Sequence, residues 1–295
     1  MKIRLISGSC YVAILVAFYL LKIFVHDLCF DALLYFFAIV GTFEMLRATK
    51  EKTTKAERVI VFIFALVAIP VCALCQQFLD SGVAFLAFCS FAATLALLSL
   101  LVVEHEKTSL ESVGTSLLAA AYPTLLLSVL VLANHAQTPE SLLGFAFNSD
   151  LLILFIFVVS PFADSFAYLF GRFLRKRFPR PFAPTVSPNK TLVGAIGGLV
   201  GGLVAAVILY FAYNAVAGDF ANTAVWLPVY LGIGLLSAAA TEFGDLLESA
   251  IKRKVELKDM GKIMPGHGGV LDRVDGTMLA AVAVYAAYLI VQMIA

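Results

Sequence analysis

"VIVFIFALVAIPVCALCQQFL", residues 59–79, contains no charged side chain. A helix needs about 20 mostly apolar residues to cross the hydrocarbon of a bilayer, and a chain in lipid must satisfy its backbone hydrogen bonds within itself. The stretch therefore reads as a membrane-spanning helix. Working outward from it, comparable runs occur at 5–24, 28–46, 82–103, 112–134, 151–171, 192–214, 227–247 and 277–294. The expected fold is an all-α polytopic integral membrane protein with about nine transmembrane helices. The composition agrees: 61% of the 295 residues are hydrophobic and 14% charged, against roughly 45–50% and 25% in a soluble domain.

The first run follows Lys2 and Arg4, as a signal peptide would. It lacks a small-residue cleavage site and more spans follow, so a retained first helix is expected. The five cysteines (Cys10, Cys29, Cys72, Cys75, Cys89) lie in or beside apolar runs. Cys72 and Cys75 form a C-x-x-C without a second pair or a histidine cluster, which favours small buried hydrophobes over a zinc or redox site.

Lys and Arg in short loops orient a membrane protein. With the N-terminus placed in the cytoplasm, twenty of the 21 basic residues fall on the inside, and only Lys22 falls outside. This bias predicts a cytoplasmic N-terminus and a C-terminus outside. Residues 1–150 then hold about five scaffold helices. Residues 151–295 form a C-terminal transmembrane region with two long cytoplasmic loops, 172–191 and 248–276. In the first loop Pro179, Pro181, Pro184 and Pro188 prevent a continuous helix. Its basic run "RFLRKRFPR" either attracts anionic lipid head groups or only sets topology.

The second loop ends in "PGHGGVLDRVD", residues 265–275, an island of polarity before the last apolar run. A plain helix cap, with Asp272 at the N-cap and Asp275 at N3, would account for the aspartates but not for Gly-His-Gly-Gly or Arg273. Glycines let the backbone approach a bulky anion, carboxylates suit Mg²⁺ shared with substrate phosphates, and Lys or Arg neutralises what charge remains. Together they point to a metal–phosphate site. Upstream, Glu242, Asp245, Ser249 and Lys252 recur at helical spacing and share a face. Glu242, Asp245 and Asp164 are ionisable residues near the inner ends of spans, where they mark function by default. "SPNKT", Ser187–Thr191, adds hydroxyls, an amide and a lysine ahead of a helix rich in glycine, whose four-residue Gly spacing suits close helix packing.

Residues 249–275, "SAIKRKVELKDMGKIMPGHGGVLDRVD", closely resemble the signature of the phosphatidate cytidylyltransferases, also called CDP-diacylglycerol synthases. Met264 replaces the usual Leu, Ile or Phe of that signature. "GDLLES" (244–249), "DSFAYLFGR" (164–172) and "SPNKT" are similar to further blocks of the family, in the same order. Val193 stands where the family commonly has Glu. The resemblance implies transfer of the cytidylyl group of CTP to phosphatidate, giving CDP-diacylglycerol and pyrophosphate for phospholipid biosynthesis. It implies Mg²⁺ or another divalent cation, leaves room for a second, monovalent or divalent cation, and implies a homodimer in a bacterial inner membrane with its site facing the cytoplasm. No nucleic-acid partner is expected. On this footing Asp245, Asp272, Asp275 and Asp164 are the expected metal ligands. Lys258, Arg273 and His267 join the first three as catalytic residues. Ser187, Asn189, Lys190, Thr191, Lys252, Arg253, Gly268 and Gly269 contact the nucleotide. A CTP-dependent polyprenol-type kinase is the nearest alternative, and a multi-span transporter a more distant one.

Overall fold

The computed structural model describes residues 2–137, 147–217, 223–266 and 268–294, without the side chains of 2–5, 217 and 294. Among the described residues nine helices are long and apolar enough to cross a membrane. They are α1 Lys2–Phe24, α2 Asp27–Ala48, α3 Lys55–Leu79, α4 Gly82–Val103, α5 Leu110–Asn134, α6 Ser149–Leu174, α7 Leu192–Ala217, α8 Thr223–Lys254 and α9 Leu271–Ile294. The protein is an all-α polytopic membrane protein, and each expected span is present. Two helices exceed their apolar runs by the most. Helix α8 continues past residue 247 through the basic Lys252-Arg253-Lys254, and at 32 residues it is about 48 Å long against a hydrocarbon thickness of about 30 Å. Helix α9 starts at Leu271 rather than near 277, so Asp272 and Asp275 lie within it.

The chain forms two compact units, one of residues 1–135 and 255–274 and another of 136–254 and 275–295. In the first, α2 packs on α3 and α5 around Phe30, Leu34, Met45, Val61, Ile69 and Leu130, all essentially inaccessible. Its helix ends satisfy their free N–H groups locally. Thr54 and Glu57 form a capping box at the start of α3, and Ser109 and Ser112 form another at α5. The Ser112 hydroxyl then donates to Glu57 Oε1 at 2.7 Å, tying the two helix starts together. Further along α5 the backbone opens into a π-turn at Ala121–Leu125, where Pro123 has no N–H to give to an α-helical ladder. At the far end, Asp31 of α2 accepts from Asn134 Nδ2 at 2.9 Å and pairs with His135 Nε2 at 2.6 Å. The cysteines are free, and Cys72 is buried.

The second unit packs α6 on α7 and α7 on α8, with the buried Tyr230 in ring contact with both Phe155 and Tyr210. Between α6 and α7 the proline-rich loop folds into a short antiparallel hairpin, β1 Pro181–Ala183 and β2 Ser187–Thr191, with Pro181 opposite Thr191. In a two-stranded hairpin both strands are edges, which is where prolines are tolerated. The "SPNKT" segment is thus a strand that runs directly into α7.

Candidate active site

The polar site of the second unit exists because α6, α7 and α8 approach closely. A Cβ on Gly197 would lie 2.5 Å from Phe170 Cβ, and one on Gly201 would lie 2.7 Å from the Phe162 carbonyl oxygen, so these glycines admit α6. A Cβ on Gly202 would lie 2.6 Å from the carbonyl oxygen of Gly234 on α8. This is the small-residue packing expected of helices in lipid, where close backbone approach replaces hydrophobic attraction. Gly198 has a different use: a Cβ there would run into Glu242 Oε1. The glycine leaves space for a buried carboxylate, whose Oε1 has no hydrogen-bond partner among the described residues.

At the end of this crossing, Asp164, Tyr168, Arg172 and Arg175 of α6, Asn189, Lys190 and Thr191 of β2, and Glu242 and Asp245 of α8 line a cavity of about 660 Å³. Lys190 Nζ meets Asp245 Oδ2 at 2.8 Å, with both side chains partly exposed. Arg172 donates to the Tyr168 hydroxyl at 2.8 Å and lies over its ring, which holds a long, flexible cation in one direction. The Thr191 hydroxyl accepts from the Gly194 backbone N–H at 3.2 Å and so caps α7. That cap anchors the strand whose preceding residue, Lys190, reaches Asp245.

Behind Asp245, α8 and α9 touch through glycines: a Cβ on Gly244 would lie 2.5 Å from the Asp275 carbonyl oxygen, and one on Gly276 3.4 Å from Asp245 Oδ1. Near Asp275 lies Glu248, which is buried and pairs with Lys252 at 2.6 Å. Glu242, Asp245, Glu248 and Asp275 thus set four carboxylates against Lys190 and Lys252. Hard divalent cations take such oxygens. Among the described residues, however, no three His, Cys, Asp or Glu side chains are close enough to enclose an ion. The donor chemistry fits a divalent cation held by one or two carboxylates and completed by phosphate oxygens.

In the first unit, the glycine loop is held by two buried acids. Asp272 Oδ2 accepts from the N–H groups of Met260 (2.9 Å) and Gly269 (2.8 Å). Glu44 of α2 accepts from Val270 (3.1 Å) and Leu271 (3.0 Å). Gly266 and Gly268 have φ of 78° and 87°, a left-handed conformation that favours glycine. Lys258, Lys262, Gly266 and Gly268 line a smaller cavity of about 270 Å³.

Of the residues expected from sequence, the structure brings Asp164, Asn189, Lys190, Thr191 and Asp245 to one cavity, with Asp275 beside Asp245. Ser187 is half-buried in β2 outside the cavity lining, and Lys252 sits on Glu248. Arg253, Lys258 and Arg273 are exposed, and Gly268 and Gly269 form the turn held by Asp272. His267 lies outside the described residues. The sequence reading left Glu242 without an assigned role and missed Glu248, Glu44 and the cavity-lining role of Arg172 and Arg175. An ionisable residue in an apolar span was the available signal for the glutamates. The arginines were hidden in a basic run that topology alone explains.

The cytidylyltransferase family model matches residues 2–291. A phosphatidate cytidylyltransferase of Staphylococcus aureus (strain COL) is 42% identical over 127 residues, which are 43% of this chain and 44% of that protein. One from Staphylococcus haemolyticus is 40% identical over 136 residues, 45% and 48% of the two chains. One from Haemophilus influenzae is 38% identical over 135 residues, 45% and 44%. The similarity spans under half the length of each of these relatives.

Proposed function

From the premise that this chain belongs to the cytidylyltransferase family, we propose that it transfers the cytidylyl group of CTP to phosphatidate. CDP-diacylglycerol and pyrophosphate are the products. The observation that carries this reading is the cavity in which Lys190, Arg172 and Arg175 face Asp164, Glu242 and Asp245. It offers cations for phosphates and oxygen donors for a metal in one place, at a volume within the usual range for small-molecule sites.

In the proposed reaction a phosphatidate oxygen attacks the α-phosphorus of CTP in line. The bond from that phosphorus to the bridging oxygen breaks, and pyrophosphate leaves with the electron pair. Reactions of this kind depend on positioning and charge neutralisation more than on proton transfer. Lys190 binds a substrate phosphate, releasing Asp245 to take a cation. Arg172, oriented by Tyr168, and Arg175 offset the charge of the second anionic reactant, and Asn189 donates to a phosphate or the nucleotide. Asp245 and Asp275, with Asp164 in the same unit, are the proposed oxygen donors for Mg²⁺ or another divalent cation. The sequence motif adds Asp272 to that set. When bound, the cation polarises the α-phosphoryl group and stabilises the leaving oxygen. Lys258, Arg273, Gly268 and Gly269 are proposed phosphate contacts from the glycine loop, Arg253 and Lys252 from the end of α8, and Ser187 from β2; His267 is proposed to orient a phosphate.

We place the site at the cytoplasmic face of a bacterial inner membrane, with the N-terminus inside and the chain acting as a homodimer. Residues 1–150 serve as scaffold, and 151–295 carry the chemistry. Purified protein in detergent, given phosphatidate, Mg²⁺ and CTP labelled at the α-phosphorus, should yield a labelled lipid and unlabelled pyrophosphate. EDTA should abolish the reaction. Labelled CDP with an unlabelled phosphorylated lipid would replace this reading with a CTP-dependent kinase.

A further inference from the structure

Glu44 lies in an apolar span, 226 residues before the nearer backbone group it binds. It is 2% exposed, so its carboxylate has little water to lean on, and a buried charge of that kind needs strong partners. Its partners are consecutive: Oε1 accepts from Val270 N–H and Oε2 from Leu271 N–H, the groups that open α9. Two glycines leave it room: a Cβ on Gly261 or Gly269 would collide with the Glu44 carboxylate. One turn earlier on the same face of α2, Gly41 receives Leu271, whose Cδ2 would be 3.0 Å from a Cβ there. Asp272 draws Met260 and Gly269 together from the other side, and Met264 N–H bonds to the Gly268 carbonyl at 2.9 Å. Both ends of the glycine loop thus converge on two carboxylates. One belongs to the loop's own helix, and the other comes from α2.

We propose that Glu44 is a positioning residue for the Gly268–Gly269 turn, holding its backbone in the conformation that receives the phosphate chain of CTP. The inference rests on the proposed role of that turn as a nucleotide contact. Glycines at positive φ give a turn many accessible conformations, and a site that binds a polyphosphate through backbone and side chains needs one of them held in advance. A bidentate carboxylate on two successive N–H groups supplies that hold.

The test is Glu44→Gln in the full-length protein in detergent, with three readouts. Gln keeps the length but turns one acceptor oxygen into an N–H₂ group facing a backbone N–H. Hydrogen exchange in the peptide containing Val270 and Leu271 should quicken by about tenfold or more. The KM for CTP should rise about tenfold, while kcat and the KM for phosphatidate stay within about twofold. Unchanged exchange at these amides would overturn the inference, as would a fall in kcat and melting temperature with an unchanged KM for CTP. Faster exchange with unaltered CTP kinetics would leave Glu44 holding the turn but would remove the turn from the nucleotide site, so the two failures are distinguishable. If Glu44→Gln does not fold, Glu44→Asp, which keeps the charge but draws it back by one methylene, should give the same selective rise in the KM for CTP, and an unchanged KM there would overturn the inference.

Discussion

Asp245 and Asp272 are both aspartates in polar helix segments, yet they rest on different partners. Asp245 is held by a side chain: Lys190 reaches it at 2.8 Å, and the two side chains are 27% and 28% exposed. Asp272 is held by backbone, through Met260 and Gly269, and is 7% exposed. A lysine on a four-carbon stem in contact with water can exchange one counter-charge for another at small cost. A backbone N–H in a packed turn cannot follow a departing carboxylate, and burying it unpaired costs about 1–3 kcal/mol. The first cluster is therefore suited to receiving reactants, and the second to fixing a shape.

The predictions probe that contrast, beginning with the largest effect. Asp245→Asn keeps the shape and loses the charge. It should lower Mg²⁺-dependent turnover by about 10³-fold or more, the loss of roughly 4 kcal/mol or more of transition-state stabilisation, with an unchanged melting temperature in detergent. Activity within tenfold of the parent protein would remove Asp245 from the chemistry. Lys190→Met should raise the KM for CTP by about 30-fold, equivalent to about 2 kcal/mol of charge-assisted contact, as measured by initial rates across CTP concentrations. Asp272→Asn should act on the fold as well as on the proposed cation contact, destabilising the protein by about 1–3 kcal/mol, read as a lower melting temperature beside reduced turnover. Lost activity at an unchanged melting temperature would leave Asp272 its cation role alone and erase the contrast. The smallest effect belongs to Thr191→Val, which deletes the cap on α7 and should cost about 1 kcal/mol of stability, read as a small shift in thermal unfolding.

The nine spans among the described residues were legible because a span imposes its length on the sequence: about 20 apolar residues leave an unmistakable run. Asp164, Lys190 and Asp245 were legible for the converse reason, since polarity at the edge of such a run is expensive and so carries information. What escaped depends on long-range pairing. Glu44 looks like one acid near the end of a helix, and nothing near it in the chain announces Val270 and Leu271 as its partners. At the start of α9 the aspartates alone suggest a helix opening at Asp272; it opens at Leu271, where Glu44 takes up the N–H groups of Val270 and Leu271. The hairpin at 181–191 was hidden by its prolines, which forbid helix without indicating what replaces it.

Because Lys190 pairs with Asp245, the proposed anion and cation sites would be thermodynamically linked. Whatever draws the lysine away unmasks the aspartate, so saturation with nucleotide should steepen the response to metal, and metal should sharpen the response to nucleotide by the same factor. A substitution at position 190, where no cation is bound, would then alter the metal titration curve, and by how much would measure the strength of that linkage.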